Sequence, residues 1–377
     1  MLWLNGTTRK DMNLIFDGNY LFYKTLFIFG GYSSGSSLLD SKKDQDMFIR
    51  KIATDFSYSV RTFGNPDRII FTVDSRSWRK EVLIEDGRYK SNREEKDSKI
   101  NWDAFYSCIN EFTEILKNKK VIVSKQERAE GDDLMHLWSD SFYQKGMDSV
   151  IISGDQDMYQ CIKFNGSNFV TVYNPNSKSR KLAVSSGFQE WINKEDHDIF
   201  DASTYMNRNK DVIQDVARQC SVEVVDPKYL IFEKVITGDS GDAVPSVWTW
   251  KKGDRVYRIT PNKANRIYEI LNLTKQVEDV FDLPNRAEEI SNAISVACSQ
   301  SPSADVIKER LERNLKLVFL DSRVIPQEIQ DNFSRTFEDS WNKKELGVQV
   351  YDMKTFLQGT RFVTDGKSFE SDFFSSF

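Results

Sequence analysis

Histidine is almost missing from this chain: its 377 residues include two, His136 and His197. A hydrolase triad built on imidazole, or a histidine-rich metal centre, is hard to assemble from so few. His136 reads as a part-buried structural residue. Cysteine is scarce as well. Cys108, Cys161, Cys220 and Cys298 lie far apart with no Cys-x-x-Cys pair. That spacing argues against a zinc site and suits free thiols in a reducing cytosol. No apolar run approaches the roughly 20 residues of a membrane helix. The opening Met1-Leu-Trp-Leu-Asn5 is too short and too polar for a secretory leader, so a cytoplasmic protein with no membrane partner is expected. Met12 is a second candidate start, and residues 1–11 read as a flexible N-terminal extension. No GxGxxG occurs, and Gly30-Gly31 with Gly35 lacks the Gly-Lys-Ser/Thr of a P-loop. Neither a dinucleotide cofactor nor a phosphate-cradling loop is indicated.

What is abundant is acid at the ends of apolar runs. Asn13-Leu-Ile-Phe runs into Asp17, Arg68-Ile-Ile-Phe-Thr-Val into Asp74, and Ser149-Val-Ile-Ile-Ser-Gly into Asp155 and Asp157. Glu130-Gly131-Asp132-Asp133 and Gly238-Asp239-Ser240-Gly241-Asp242 add two tight acidic groups. Short β-branched runs closed by a turn residue read as buried parallel strands. In open α/β sheets the ligand site lies beyond the carboxyl ends of the strands. One such aspartate is most simply a turn or helix cap, but caps do not account for three strand ends and two acidic groups together. Asp155 and Asp157, two apart, face the same way on an extended stretch. Glu130 and Asp133, three apart, share a helix face; Asp132 is the least secured by geometry. Carboxylates so crowded repel unless a cation intervenes. Hard oxygen donors in this number suit Mg²⁺ or Mn²⁺, and paired hard cations suit in-line displacement at phosphorus.

A hydrophobic fraction of 39% supports a real core, while 29% charged residues and a mean hydropathy of -0.53 mark a water-facing protein. The net charge of -5 hides two basic stretches, and local charge decides phosphate binding. Between Ser75 and Lys99 lie Arg76, Arg79, Lys80, Arg88, Lys90, Arg93, Lys96 and Lys99, together with six acids. A solvated, salt-bridged helix is the bland account of that stretch. Between Trp248 and Tyr268 lie Lys251, Lys252, Arg255, Arg258, Lys263 and Arg266, with Asp254 the one acid. The second stretch is the better electrostatic marker.

Strands are expected at 12–17, 68–74, 121–123 and 149–153. Helices are expected at 44–63, 102–116 and 132–143, with a Gly/Ser-rich loop over 29–41. This rhythm predicts a mostly parallel sheet. The polar stretch 84–100 breaks the rhythm and must overhang the strand-end acids, so it is expected to be mobile without ligand. A hairpin is expected over 165–184. Helical character is expected over 190–220, in a helix 229–237 ended by Gly238, in a helix 261–273 with Thr260 as cap and Pro261 at its first position, and over 287–332. Gly238-Asp-Ser-Gly looks like a protease nucleophile motif, but no triad histidine lies upstream and the pattern is not all-β.

In order, Asp17-Gly-Asn, Asp74 with Trp78-Arg79, Tyr89-Lys90-x-x-Arg93, Glu130-Gly-Asp-Asp, Ser153-Gly-Asp-Gln-Asp and Gly238-Asp-x-x-Asp resemble the flap endonuclease/5′→3′ exonuclease family. The likeness is nearest to the phage ribonuclease H type and covers roughly residues 12–275. It implies an α/β, PIN-like core whose mostly parallel sheet is flanked by helices, a helical arch, and a C-terminal helical domain with a helix–three-turn–helix element. The units so implied are the core 12–227 with its arch near 84–100, a DNA-binding domain 228–335 with that element near 229–273, and a C-terminal segment 336–377. Carried over by motif, Asp17, Asp74, Glu130, Asp132 and Asp133 match one group of metal ligands. Asp155, Asp157, Asp239 and Asp242 match the second. Lys90 and Arg93 match the arch's basic pair at the scissile phosphate. Tyr89 matches an aromatic that stacks near the terminal base, and Arg79 stands with the DNA-binding residues. Gly131 stands where the family usually has Ala, with no consequence expected. Ala243-Val-Pro-Ser-Val and Trp248-Thr-Trp-Lys-Lys depart from the family's Gly-x-Gly turn, so the sequence leaves open whether the family's K⁺ site is kept. The stretch 185–225 looks like an insertion.

The residues and the resemblance agree on a nuclease with two Mg²⁺ ions (Mn²⁺ substituting) that cleaves at 5′ ends and flaps. In replication it would remove RNA primers and adjacent DNA. The expected partners are flap, nicked or forked duplex DNA and RNA–DNA hybrid, bound by a monomer that selects structure rather than sequence. Lys251, Lys252, Arg255, Arg258, Lys263, Arg266 and the helix N-terminus at Pro261 suit backbone phosphates. Phe369-Glu-Ser-Asp-Phe-Phe-Ser-Ser-Phe377 resembles the terminal peptides by which phage replication proteins hold a sliding clamp, with Phe373, Phe374 and Phe377 as the contacts. Docking of the tail on its own domain is the plain alternative. A single-stranded-DNA-binding protein is a further expected partner, and the host cytoplasm the location of a phage enzyme. Two rivals are a PIN-type ribonuclease and a non-catalytic structure-specific DNA-binding module.

Overall fold

A computed structural model describes residues 11–30, 38–64, 66–82, 89–91, 99–176, 178–194, 208–273, 279–342 and 353–362. Residues 1–10, most of 84–100 including Arg93, and the tail 363–377 lie outside the described residues.

The first half alternates strand and helix as the apolar periodicity requires. Strand β1 (Met12–Asp17) leads into helix α1 (Gly18–Gly30), then α2 (Lys42–Thr62), β2 (Arg68–Thr72), α3 (Trp102–Asn118), β3 (Ile122–Ser124), α4 (Gly131–Gln144) and β4 (Asp148–Ile152). The sheet continues through β5 (Lys163–Phe164), β6 (Phe169–Asn174), β7 (Lys181–Val184) and, after helices α5 (Ser186–Asn193) and α6 (Arg208–Gln219), β8 (Ser221–Val224). The strand order is β3-β2-β1-β4-β6-β7-β8, with β5 alongside β6. β3, β2, β1, β4 and β6 run parallel, β7 is antiparallel to β6, and β8 is parallel to β7.

Both faces of the sheet are covered, which is why its strands read as continuous apolar runs. Leu14, Phe16, Val150 and Ile152 pack with α1, α2 and α3 on one side. Ile15, Ile70 and Ile151 pack with α4 and the C-terminal helix Gln327–Asn342 on the other. On the first side Phe16, Phe22, Phe56, Phe71 and Phe112 form one aromatic cluster.

A second core lies downstream. Helices α7 (Pro227–Thr237) and α8 (Pro261–Ile270) pack with Ala287–Cys298 and Ala304–Val318. Buried polar side chains tie it to the sheet. Gln160 donates to the Val318 carbonyl at 3.0 Å and accepts from Leu320 N at 3.2 Å. Within the second core itself, Asn314 donates to the carbonyls of Val235 and Pro245, each at 2.9 Å.

Several elements differ from the sequence reading. α1 occupies residues for which no element was expected, and its end overlaps the expected loop. Among the described residues of 185–225 the expected helical character is present in α5 and α6, but β8, for which no strand was expected, joins the sheet. The basic stretch after Trp248 is not simply a charged lead into α8. It forms an antiparallel hairpin, β9 (Thr249–Lys252) and β10 (Arg255–Arg258), turning at Gly253 with φ +62°. The physical cue is the Gly253-Asp254 pair between two short stretches that carry Trp250, Val256 and Tyr257, which the density of charge masked.

Candidate functional site

In the sheet β2, β1 and β4 are neighbours, so their carboxyl ends bring Asp74, Asp17 and Asp155 to one edge. A cleft of about 640 Å³ opens there. Eight carboxylates line it: Asp17, Asp74, Glu130, Asp132, Asp155, Asp157, Asp239 and Asp242. Lys90 and the α1 residues Asn19, Tyr20, Tyr23, Lys24 and Phe27 complete its walls.

Each acid is held by local structure. Asp17 caps α1, accepting from Tyr20 N at 2.8 Å and from Ser153 Oγ at 2.7 Å. The helix-cap account of this residue is therefore also true; the same carboxylate faces the cleft. Gly18 must be glycine, since a Cβ there would lie 2.3 Å from the Thr72 carbonyl. Asp74 accepts from Gly131 N at 2.6 Å, at the N-terminus of α4. A Cβ on residue 131 would sit 2.8 Å from that Asp74 oxygen, so the glycine does have a local consequence: it lets Asp74 close on the helix end. Asp155 caps the 3₁₀ turn Gln156–Cys161 through Asp157 N at 2.9 Å. Asp239 gathers Gly241 N at 2.8 Å and Asp242 N at 3.3 Å, while Gly238 at φ +70° turns the chain out of α7.

Three expected site residues are placed elsewhere than the sequence reading put them. Asp133 is fully buried and does not line the cleft. Its carboxylate takes Arg79 Nη2 at 2.7 Å, Arg79 Nη1 at 3.1 Å, Trp78 Nε1 at 3.1 Å and Glu130 N at 3.2 Å. Glu130 and Asp133 do share a helix face, but that face serves a buried ion pair. Asp132, the member least secured by spacing, is the one in the cleft. Arg79 is 2% exposed and bound to Asp133 and Glu130, so it has no free fork for DNA. Tyr89 is 3% exposed, packs into the second core and donates to Glu130 or Asp242. Its ring is not open to stack on a base.

Lys90 is in the cleft wall. Its ammonium pairs with Glu130 and lies 3.7 Å from Asp242, and its N–H donates to the Asp242 carbonyl at 2.9 Å. The residue holds a left-handed backbone, φ +58°, a conformation kept only where surroundings enforce it. Lys251, Lys252, Arg255 and Arg258 are exposed on the β9–β10 hairpin. Trp250 stacks on Tyr257 at 5.9 Å, and Lys263 of α8 lies over Trp250 at 4.4 Å. Arg266 is exposed on α8. Arg93, Phe373, Phe374 and Phe377 lie outside the described residues.

Sequence reasoning missed the α1 wall and Lys234. Tyr20, Lys24 and Phe27 recur at helical spacing after Asp17, which was the available cue. Phe27 is 73% exposed. Lys234 on α7 bridges Asp157 and Asp239.

The electrostatics are those of carboxylates short of positive charge. Burial pushes Asp17 up to about 7, with the charges of Asp74 and Asp155 adding to it. Burial likewise raises Asp74, raises Asp132 well above the ordinary range with help from Asp155 and Asp17, and raises Asp157 to about 6 despite Lys234. Glu130 and Asp239 go the other way: burial would raise them, but Lys90 and Arg79, and Lys234 respectively, outweigh it. Among the described residues no group of three or more acid, His or Cys side chains is set to grip one ion as it stands. Lysines reach between them instead. The donor set still fits hard divalent cations, because it is all carboxylate and several members resist ionising together.

A pH dependence follows. Asp17 has a folded pKa near 7 against about 3.9 in an unfolded chain. A raised folded pKa means stability that is full below the unfolded value and lost as pH climbs through the folded one. Asp157 has the same sign. Melting temperature in EDTA is therefore expected to fall between about pH 5 and pH 7.5, and a divalent cation that binds these carboxylates is expected to remove the fall. A flat or rising profile in EDTA would contradict this charge balance.

The family model of the 5′-3′ exonuclease N-terminal resolvase-like domain matches residues 12–194. Among solved structures, a bacteriophage T5 protein crystallised with metal ions is 18% identical, with a TM-score of 0.51 over 88% of this chain and 98% of that one. The bacteriophage T5 flap endonuclease in a pseudo-enzyme–product complex with DNA and metal ions gives 18% and 0.51 over 88% and 99%. The T5 5′-exonuclease with zinc gives 19% and 0.50 over 89% and 100%. At these identities the likeness is one of fold. No curated protein matches.

Proposed function

Because residues 12–194 match the 5′-3′ exonuclease N-terminal resolvase-like domain, we propose that the chain is a member of the 5′-3′ exonuclease and flap endonuclease family, a divalent-metal-dependent 5′-nuclease that removes RNA primers and short flaps during DNA replication. Chemically it is a phosphodiester hydrolase. The observation that carries the reading is the convergence of eight carboxylates, from separate segments of the chain, on one cleft at the carboxyl edge of the sheet.

Asp17, Asp74, Glu130 and Asp132 would hold one Mg²⁺ ion, and Asp155, Asp157, Asp239 and Asp242 a second, with Mn²⁺ able to substitute. Ions bound there would supply the Lewis-acid charge that in-line displacement at phosphorus demands. Lys90, with Arg93 beyond it in sequence, would face the charge that builds on the phosphate oxygens. The hairpin cations, with Lys263 and Arg266 on α8, suit the duplex backbone and read no bases. The exposed ring of Phe27 beside the acids suits a base lifted off a duplex end. In this proposal the core is 12–227, the DNA-binding unit 228–335 and the tail segment 336–377. The partners are flap, nicked or forked duplex DNA and RNA–DNA hybrid, and the enzyme works as a monomer in the cytoplasm.

A parallel digest with Mg²⁺ of a 5′-labelled flap duplex, an RNA–DNA hybrid and single-stranded RNA tests this. Short 5′-derived products from the first two are expected. Preferred cleavage of single-stranded RNA would instead favour a PIN-type ribonuclease, and binding without cleavage a structural DNA-binding module. The acidic–aromatic tail supports a sliding clamp as a further partner, alongside a single-stranded-DNA-binding protein. Removing residues 367–377 is expected to end clamp binding while cleavage of short oligonucleotides persists; unchanged clamp affinity would refute that contact.

A further inference from the structure

Lys234 sits one turn before the end of α7, where its carbonyl accepts from Gly238 N at 2.9 Å. Its ammonium reaches across from the second core to the sheet. It pairs there with Asp157 after β4, and with Asp239 of its own unit at 2.9 Å. The side chain is 18% exposed, so the pairs are substantially shielded from solvent. Burial works against an ammonium here, but Asp157 and Asp239 outweigh it and hold Lys234 above its ordinary pKa. The arrangement has a counterpart where Lys90 spans Glu130 of the first group of acids and Asp242 of the second. Each lysine thus lies between two acids contributed by different segments.

We propose that Lys234 is a resident counter-cation: its ammonium fills the place between Asp157 and Asp239 that a divalent ion must take, so binding of the second ion requires its displacement. This rests on the reading of the cleft as a divalent-ion site. It has two linked consequences. The lysine stabilises the ion-free fold by keeping two neighbouring carboxylates from facing each other unneutralised. It also weakens binding of the ion with which it competes. Affinity for the second ion is thereby held down, because a ligand's apparent affinity falls when an internal group must first vacate the site.

The test uses the full chain and Mn²⁺ alone, without nucleic acid, read by calorimetry and by the electron paramagnetic resonance of free Mn²⁺. Lys234→Met is expected to bind the weaker of its two ions about tenfold more tightly than wild type, the lower end of what a neighbouring opposite charge does to a carboxylate. In EDTA it is expected to melt below wild type, with the gap closing at saturating Mn²⁺. Lys234→Arg keeps the charge and is expected to behave like wild type in both respects. Should the methionine variant not fold, Lys234→Gln supplies a second neutral side chain for the same titration. Equal or weaker Mn²⁺ binding by the neutral variants overturns the proposal and leaves Lys234 a structural ion pair. Absence of Mn²⁺ binding by wild type overturns the divalent-ion reading itself.

Discussion

Asp155→Asn is expected to lower Mg²⁺-dependent cleavage of a flap substrate at least a hundredfold, roughly what removal of one well-placed electrostatic contact costs, while DNA binding persists. The substitution is chosen for what it preserves. Asp155 accepts from Asp157 N at the start of a 3₁₀ turn, and asparagine fills such a position as well as aspartate does. The turn, and with it the placement of Asp157, should survive. What disappears is one unit of negative charge in a cleft whose other acids are already partly matched by Lys90 and Lys234. Product formation from a 5′-labelled flap, set beside fluorescence anisotropy of the same DNA in EDTA, separates the two effects. Cleavage at the wild-type rate would remove Asp155 from the proposed ion site. Loss of binding in parallel with cleavage would mean that the substitution had disturbed more than charge.

Arg79→Ala is expected to destabilise the protein by roughly 3–5 kcal/mol, the range for breaking a buried ion pair from one side. The guanidinium is 2% exposed and bonds to Asp133 through both terminal nitrogens and to Glu130 through one. It also lies 4.7 Å from the centre of the Trp78 ring. Its removal takes the cation from buried Asp133 and leaves Glu130, which also lines the cleft, with Lys90 as its remaining ion-pair partner. Lysine at this position should recover part of the loss, since it carries the charge without the planar fork. Urea unfolding followed by tryptophan fluorescence measures the difference. A loss under about 1 kcal/mol would be surface-pair behaviour and would contradict the burial described here.

The sheet and most of its acids were readable because two strong regularities coincide. Apolar runs such as Leu14-Ile15-Phe16 and Val150-Ile151-Ile152 are buried on both faces, and the acids that face the cleft come at the carboxyl end of each run, Asp17 at once and Asp155 three residues on. Strand end and cleft edge are therefore the same place. The Asp132–Asp133 doublet was harder. Helical spacing placed Glu130 and Asp133 on one face correctly, but spacing does not say whether a face looks to solvent or to a buried arginine. Arg79 and Tyr89 misled for the same reason, since a cation or an aromatic near a phosphate motif reads as exposed until burial is known. The β9–β10 hairpin was hidden by its composition: Lys251, Lys252, Arg255 and Arg258 make charge the dominant impression and obscure the Gly253-Asp254 turn between them. Lys234 gave no cue at all, because its partners are 77 and 5 residues away and only the folded chain joins them.

The tie between Lys90 N and the Asp242 carbonyl, with Asp239 and Asp242 rooted in the downstream core, bears on biosynthesis. A ribosome that has released only the sheet has already made most of the acidic floor, yet the opposing wall is still unwritten. Until the segment beyond Gly238 emerges and docks, there is nothing to close the space over Asp155 and Asp157. A partly translated chain thus lacks two of the eight carboxylates, and the cleft is complete only when the late-made half has come home.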